Sequence, residues 1–129
     1  MGEKITKFTD LIAWQEGHKL VMFIYEITKK FPKTEMFGLT SQMQRAAVSI
    51  TSNVTEGFAR QYRAEKLQFY SIAKGSLSEL QNQLIIAKDN EYVSKELFDK
   101  LFNQSITVEK LINGLVKKIR ASFGYKCFA

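Results

Sequence analysis

Thr40-Ser41-Gln42-Met43-Gln44-Arg45-Ala46-Ala47-Val48-Ser49-Ile50-Thr51-Ser52-Asn53-Val54-Thr55-Glu56-Gly57-Phe58 is the stretch on which the fold turns. Met43, Ala47, Ile50, Val54 and Phe58 recur at helical steps of three and four, which puts them on one face of a helix. Ser41 and Gln44 have the spacing of a capping box, so the helix is expected to begin near Thr40 or Ser41. Gly57 is placed to bend it or to help end it. Beside the apolar stripe runs a polar one, Arg45, Ser49, Asn53 and Glu56, on an adjacent side of the same helix.

Three further segments flank it with the same periodicity. Helix 1 is expected from about Asp10 to Lys30, with Asp10 as N-cap and Leu11, Trp14, His18, Val21, Tyr25 and Thr28 as its stripe. Phe31-Pro32 ends it, because the residue before proline is pushed out of the helical region. Helix 3 is expected from about Ala64 to Asp89, carrying Leu67, Tyr70, Ala73 or Lys74, Leu77, Leu80 or Gln81, and Leu84. Asp89 to Val93 reads as a turn, and Ser94 as the cap of helix 4 with Leu97, Leu101, Val108, Leu111, Leu115 and Ile119. Short connections between four long helices give an all-α, antiparallel up-down-up-down four-helix bundle. The whole chain, 1–129, reads as one domain, with an N-terminal arm over about 1–9 and a C-terminal tail over about 122–129.

Composition agrees. The 129 residues are 45% hydrophobic and 25% charged, with one proline and seven glycines. That is too few turn residues for an all-β domain. The longest apolar run, Leu20 to Tyr25, is far short of the roughly 20 residues a membrane helix needs. With no basic-then-apolar opening, neither secretion nor a membrane is expected. Cys127 is the sole cysteine, so no internal disulfide forms and a reducing cytoplasm is expected.

Little points to catalysis or to a cofactor. His18 is the one histidine. A di-iron bundle needs paired Glu-x-x-His motifs, and zinc sites recruit more His or Cys than this chain holds. His18 lies within a helical stripe and reads as a packing or hydrogen-bonding residue. No metal, no cofactor and no enzymatic role are expected. Gly17, Gly75 and Gly114 fall inside helices, for which close helix approach is the reason favoured, with no phosphate loop in view.

The charges are more informative. Net charge is +6, from 19 basic and 13 acidic residues, which favours polyanions as partners. From Met36 to Ala59 the charged residues are Arg45 and Glu56 alone, and from Leu67 to Ala87 Lys74 and Glu79 alone. Helices this poor in charge are expected to be shielded on more than one face, and self-association through helices 2 and 3 is the simplest account. A neutral polar surface of Ser, Thr, Asn and Gln is the alternative. An antiparallel register places Arg45 opposite Glu79, as an ion pair or, alternatively, with Arg45 on nucleic acid. Basic residues gather at Arg60, Arg63 and Lys66, and again at Lys117, Lys118, Arg120 and Lys126 among Phe123, Tyr125 and Phe128. Both clusters suit phosphate contact and base stacking, or else are solvated helix ends.

Ala13-Trp14-Gln15, Phe31-Pro32, Phe37-Gly38-Leu39, Gln42, Arg45 to Ile50, Ser52 to Gly57 and Ala73 to Leu80 come in an order and spacing that is distinctive as a set. Together they resemble the bacterial four-helix-bundle family of 23S rRNA intervening-sequence proteins, to which the accessory variability proteins of diversity-generating retroelements are similar. The resemblance covers about Phe8 to Ala87. It implies a cytoplasmic bundle that assembles into a ring, commonly a homopentamer with a basic surface, and association with RNA or DNA. For the retroelement members it implies contact with a reverse transcriptase. Arg45, Asn53, Glu56, Gly75 and Glu79 occupy its motif positions, whether to maintain the fold or to bind. Val54-Thr55 replaces the usual Ile-Ala. Tyr62 stands where a serine cap is usual, which leaves the start of helix 3 open. The function expected is nucleic-acid binding by an oligomeric bundle through its basic clusters, the alternative being a scaffold that docks a protein partner.

Overall fold

A computed structural model describes residues 4–122. Four helices account for most of it: α1 (Ile12–Thr28), α2 (Leu39–Ala59), α3 (Arg63–Asp89) and α4 (Lys95–Ser122). Each packs against its chain neighbours, and α4 closes back on α1, giving the cyclic order of an up-down-up-down bundle. The α2–α3 pairing is the most extensive.

The core is a column of interlocking stripes. Leu20 and Ile24 meet Met43, Ala47, Ile50 and Val54 of α2, Ala73, Leu77, Leu80 and Leu84 of α3, and Leu101, Val108 and Ile112 of α4. On α2 and α3 these are the stripes that periodicity gives. On α1 the expected stripe holds in part: Val21 and Thr28 are buried and Leu11 and Trp14 pack against the core, but the centre of the seam lies about one position away. Ala13, Gly17, Leu20, Ile24 and Ile27 are buried, while His18 and Tyr25 are exposed. Small residues let α1 come close to α2: a Cβ on Gly17 would sit 3.0 Å from Thr51 Cγ2. The aromatic rings, too large for that seam, lie along its edges, with His18 stacked on Trp14 at 4.8 Å. On α4, Leu97 is exposed and Ser105 is wholly buried. Its hydroxyl accepts from Gln81 Nε2 at 3.0 Å and donates to the Phe102 carbonyl at 2.6 Å, which removes the cost of burying it.

Helix boundaries follow capping chemistry, not always with the expected residue. Asp10 does not cap α1. It closes a 3-10 turn, Phe8–Asp10, by accepting from the Thr6 and Lys7 N–H groups at 3.0 Å each, and these bonds hold its carboxyl below the usual carboxylate range. Ser41 does not cap α2. Glu35 does so from the preceding loop, accepting the Leu39 N–H at 3.1 Å, while Tyr92 donates its hydroxyl to the other carboxylate oxygen at 2.8 Å. Ser94 caps α4 as expected, accepting the Leu97 N–H at 3.1 Å. In the turn before it, Glu91 takes a left-handed φ of 63°.

Candidate nucleic-acid interface

The bundle topology brings the two basic clusters to one end. The α2–α3 connection, the last turns of α4 and the start of α1 meet there. Gln61, Tyr62, Arg63 and Lys66 share a groove of about 500 Å³ with Ile119 and Ser122 of α4. Lys118 lines a neighbouring hollow of about 570 Å³ with Asp10, Ile12 and Leu115, between α4 and the entry to α1. In sequence the clusters are more than fifty residues apart, and nothing local joins them.

Their side chains divide by task. Arg60 pairs with Glu56 one turn back and lies over the Phe69 ring, 4.7 Å from its centroid. Arg63 donates through Nη2 to the Ser122 carbonyl at 3.0 Å, tying the start of α3 to the end of α4. Lys66 donates from Nζ to the carbonyls of Gly57 and Phe58, at 3.2 and 2.9 Å, and so caps the C-terminus of α2. Partial burial pushes its ammonium below the usual lysine range. These three cations are engaged inside the fold. Lys117, Lys118 and Arg120 stand exposed on the closing turns of α4. Lys126, Phe123, Tyr125 and Phe128 lie outside the described residues.

Tyr62, with no side-chain bond that caps α3, is 65% exposed beside the groove. Its ring is available for stacking next to Arg63, a role the sequence reading did not give it. The signal was the mismatch itself: an aromatic residue where a small cap is expected. Beneath the connection, Gly57 has a packing reason beyond bending. A Cβ there would come within 2.6 Å of the Tyr70 ring.

Of the motif residues, Asn53 and Glu56 bond within α2 and to the Arg60 that follows it. Asn53 Nδ2 donates to the Ser49 carbonyl and hydroxyl at 2.8 and 3.1 Å, and Ser49 and Ser76 share a hydrogen bond of 2.7 Å across the helix pair. Glu56 serves Arg60. The expected ion pair between Arg45 and Glu79 is not formed within the subunit. Both line a polar cleft of about 450 Å³ with Gln42 and Ser49, too far apart to pair directly. Gly75 is not a point of close approach, nor is Gly114: a Cβ at either would meet nothing within 4 Å. The outer face of α2 and α3 leaves Val48, Ile72, Ile85 and Ile86 exposed among small polar residues.

Among the described residues, no group of three His, Cys, Asp or Glu side chains is arranged to hold a metal ion, and no helix is long and apolar enough to cross a membrane.

No curated protein matches the chain. A crystal structure of a protein of unknown function from the S23 ribosomal protein family of Bacteroides thetaiotaomicron VPI-5482 is similar over 82% of this chain and 96% of that one, with 22% identity and a TM-score of 0.76. At that identity the likeness speaks for the helical fold. Residues 9–114 match the model of the 23S rRNA-intervening sequence protein family, and by that match, which spans most of its length, the chain belongs to this family.

Proposed function

We propose that this protein is a non-enzymatic, self-associating helical bundle of the cytoplasm that binds RNA or DNA through the basic end of the bundle, mainly by charge and with little sequence preference. The helix order that puts Arg60, Arg63 and Lys66 at the same end of the bundle as Lys117, Lys118 and Arg120, with Arg63, Lys66 and Lys118 lining two neighbouring hollows there, carries the reading. The first three shape and rigidify the surface. The last three, exposed, are positioned to neutralise phosphates, and Tyr62 offers a ring on which a base can stack. Self-association is supported by the charge-poor outer face of α2 and α3 with its exposed valine and isoleucines. A ring, with five as the number the family resemblance implies, repeats the basic end and lets weak contacts act together.

A second reading, a scaffold that docks a protein partner such as a reverse transcriptase, is favoured by one observation. Half of the cations in question already have partners inside the fold. Filter binding with RNA, single-stranded DNA and duplex DNA across a salt series separates the two. The nucleic-acid reading expects log K to fall linearly with log salt, by about 0.9 per contact on duplex and about 0.7 on single strands. Absence of binding to all three at micromolar protein and low salt leaves the scaffold.

A further inference from the structure

Phe37 is the most exposed large hydrophobic residue of the described chain, at 90%. It does not sit on a loose loop. On its N-terminal side the Met36 N–H donates to the Lys33 carbonyl at 3.1 Å. On its C-terminal side the Gly38 N–H donates to the Glu35 carbonyl at 2.9 Å and the Leu39 N–H to the Glu35 carboxylate. Tyr92 holds that same carboxylate from across the bundle. Gly38 permits the arrangement, since a Cβ there would lie 2.9 Å from Glu35 Oε1. A ring held out on a fixed backbone loses little freedom on binding, which is how an anchor residue is built.

The same end of the bundle carries a complementary hollow on another side. Ile27, Tyr92, Val93 and Leu97, with Glu26 and Lys30 at its rim, enclose about 190 Å³ between the end of α1 and the start of α4. An apolar cavity of about 150 Å³ is enough to take up benzene. The chain's own Phe37, solvent-exposed at the entry to α2, leaves this hollow empty of its ring.

We infer that Phe37 of one copy seats in the hollow bounded by Ile27, Val93 and Leu97 of the next copy. The inference rests on the self-association reading and adds to the α2–α3 face a second contact, at the end of the bundle where α1 closes and α4 begins. Knob and hollow share no residue, so a copy that gives its ring to one neighbour keeps its hollow free for the ring of another, a heterologous contact. Repeated, such a contact closes into a ring or runs on as a chain; a two-fold exchange of rings between the same two copies would instead stop at a dimer. Because the knob is rigid and the hollow preformed, both sides can be tested on exposed positions without disturbing the core.

Sedimentation of Phe37→Ala, Leu97→Trp and the wild type over a concentration series tests it, with thermal melting to confirm that each variant folds. The wild type should form an assembly larger than a dimer. Phe37→Ala should raise the dissociation constant on the order of 30-fold or more, and Leu97→Trp, which obstructs the hollow, should do the same. If Leu97→Trp melts early, Leu97→Glu replaces it. The two variants mixed should form a one-to-one pair and nothing larger, because one keeps only its hollow and the other only its knob. Phe37→Ala with the wild-type assembly overturns this inference and leaves self-association standing. Two monomeric variants that do not recover a pair on mixing also overturn it. A wild type that is monomeric at micromolar concentration overturns self-association and the inference with it.

Discussion

At the end of the bundle where α2 turns into α3, cations exceed the acids that could balance them. At the opposite end the two signs alternate. There Lys29 faces Glu26 at 3.8 Å, Lys88 neighbours Asp89 at 3.9 Å and Lys95 meets Asp99 at 2.9 Å. The loop into α2 is held by the carboxylate of Glu35 and the hydroxyl of Tyr92. At the basic end the tasks of capping and tying fall instead to Lys66 and Arg63, and Lys117, Lys118 and Arg120 stand exposed, without an ion pair among the described residues. Both ends solve the same problem, satisfying the orphan carbonyls and N–H groups of helix termini. One solves it with the Glu35 carboxylate and the neutral Ser94 hydroxyl, among charges of alternating sign. The other uses cations and keeps a surplus, which is what a polyanion can read.

The sharpest way to break this comparison is to neutralise each end in turn. Replacing Lys117, Lys118 and Arg120 together by Gln removes three phosphate contacts, and affinity for nucleic acid at about 0.15 M salt should fall on the order of 100-fold, with a shallower salt slope. The matching triple at the other end, Lys29, Lys30 and Lys33 to Gln, removes as much formal charge. It should change affinity by less than about threefold, because those lysines lie far from the contact surface and are screened. Equal losses from the two triples would mean that net charge alone is being read and that the basic end has no special role.

Next in size is a pair of glycines. Gly57→Ala puts a methyl group against the Tyr70 ring at the basic end and should destabilise by roughly 1–3 kcal/mol. Gly75→Ala, on the open outer face of α3, should stabilise by roughly 0.5–1 kcal/mol, because the helix gains propensity and nothing is in the way. Urea melts of both variants check the signs. A Gly75→Ala variant that keeps its fold but loses its assembly would show that the glycine is a seat for a neighbouring copy.

How far the fold could be read in the sequence depends on which physical signal each element carries. The α2 and α3 stripes were legible because Met43, Ile50, Val54, Leu77 and Leu84 are large, apolar and regularly spaced. The α1 face was legible only in part: Val21 and Thr28 are buried as expected, but the centre of the seam is made by Ala13 and Gly17, which carry little hydrophobic signal, while Trp14 and Tyr25 carry a strong one and lie at the edge. Ser94 was found as a cap because its partner lies three residues on. Glu35 was not, because nothing in periodicity announces a carboxylate reaching forward from a loop. In the candidate site the cationic residues could be named from sequence. That Lys66 is spent on the carbonyls of α2, and that Arg63 reaches α4, could not, since both depend on tertiary approach. The Arg45–Glu79 pair failed for the converse reason: register puts residues at one level without fixing the gap between their side chains.

Lys66 offers a smaller test at the same end. Lys66→Met keeps most of the stem against Phe58 but removes the donors to the Gly57 and Phe58 carbonyls. Stability should fall by about 1 kcal/mol. Nucleic-acid affinity should fall less than in the α4 triple, because this ammonium is already directed into the fold. A loss of affinity as large as that of the triple, with stability unchanged, would assign Lys66 to the ligand and not to the helix end.

The smallest effect is a pH dependence at the opposite end. In the folded protein the Leu39 N–H, and after it the Tyr92 hydroxyl, hold the Glu35 carboxyl below the usual carboxylate range. Its folded value is therefore lower than its unfolded one. The stability it contributes is present above the unfolded value, near pH 4.3, and is lost as pH falls through the folded one. Glu35→Gln keeps an acceptor for the Leu39 N–H but cannot titrate. At pH 7 it should melt slightly below the wild type. As pH falls below about 4.3 the gap should narrow, because the wild type loses what the variant never had. Asp10, whose carboxyl is lowered by the Thr6 and Lys7 N–H groups, titrates at the other end of the bundle and is untouched by the change, so the variant keeps that part of the acid response. Thermal melts of Glu35→Gln and Asp10→Asn across this range therefore divide the acid sensitivity between the two ends. A Glu35→Gln curve parallel to the wild type down to pH 3 would show that the loop before α2, and with it the fixed presentation of Phe37, does not depend on the charge of Glu35.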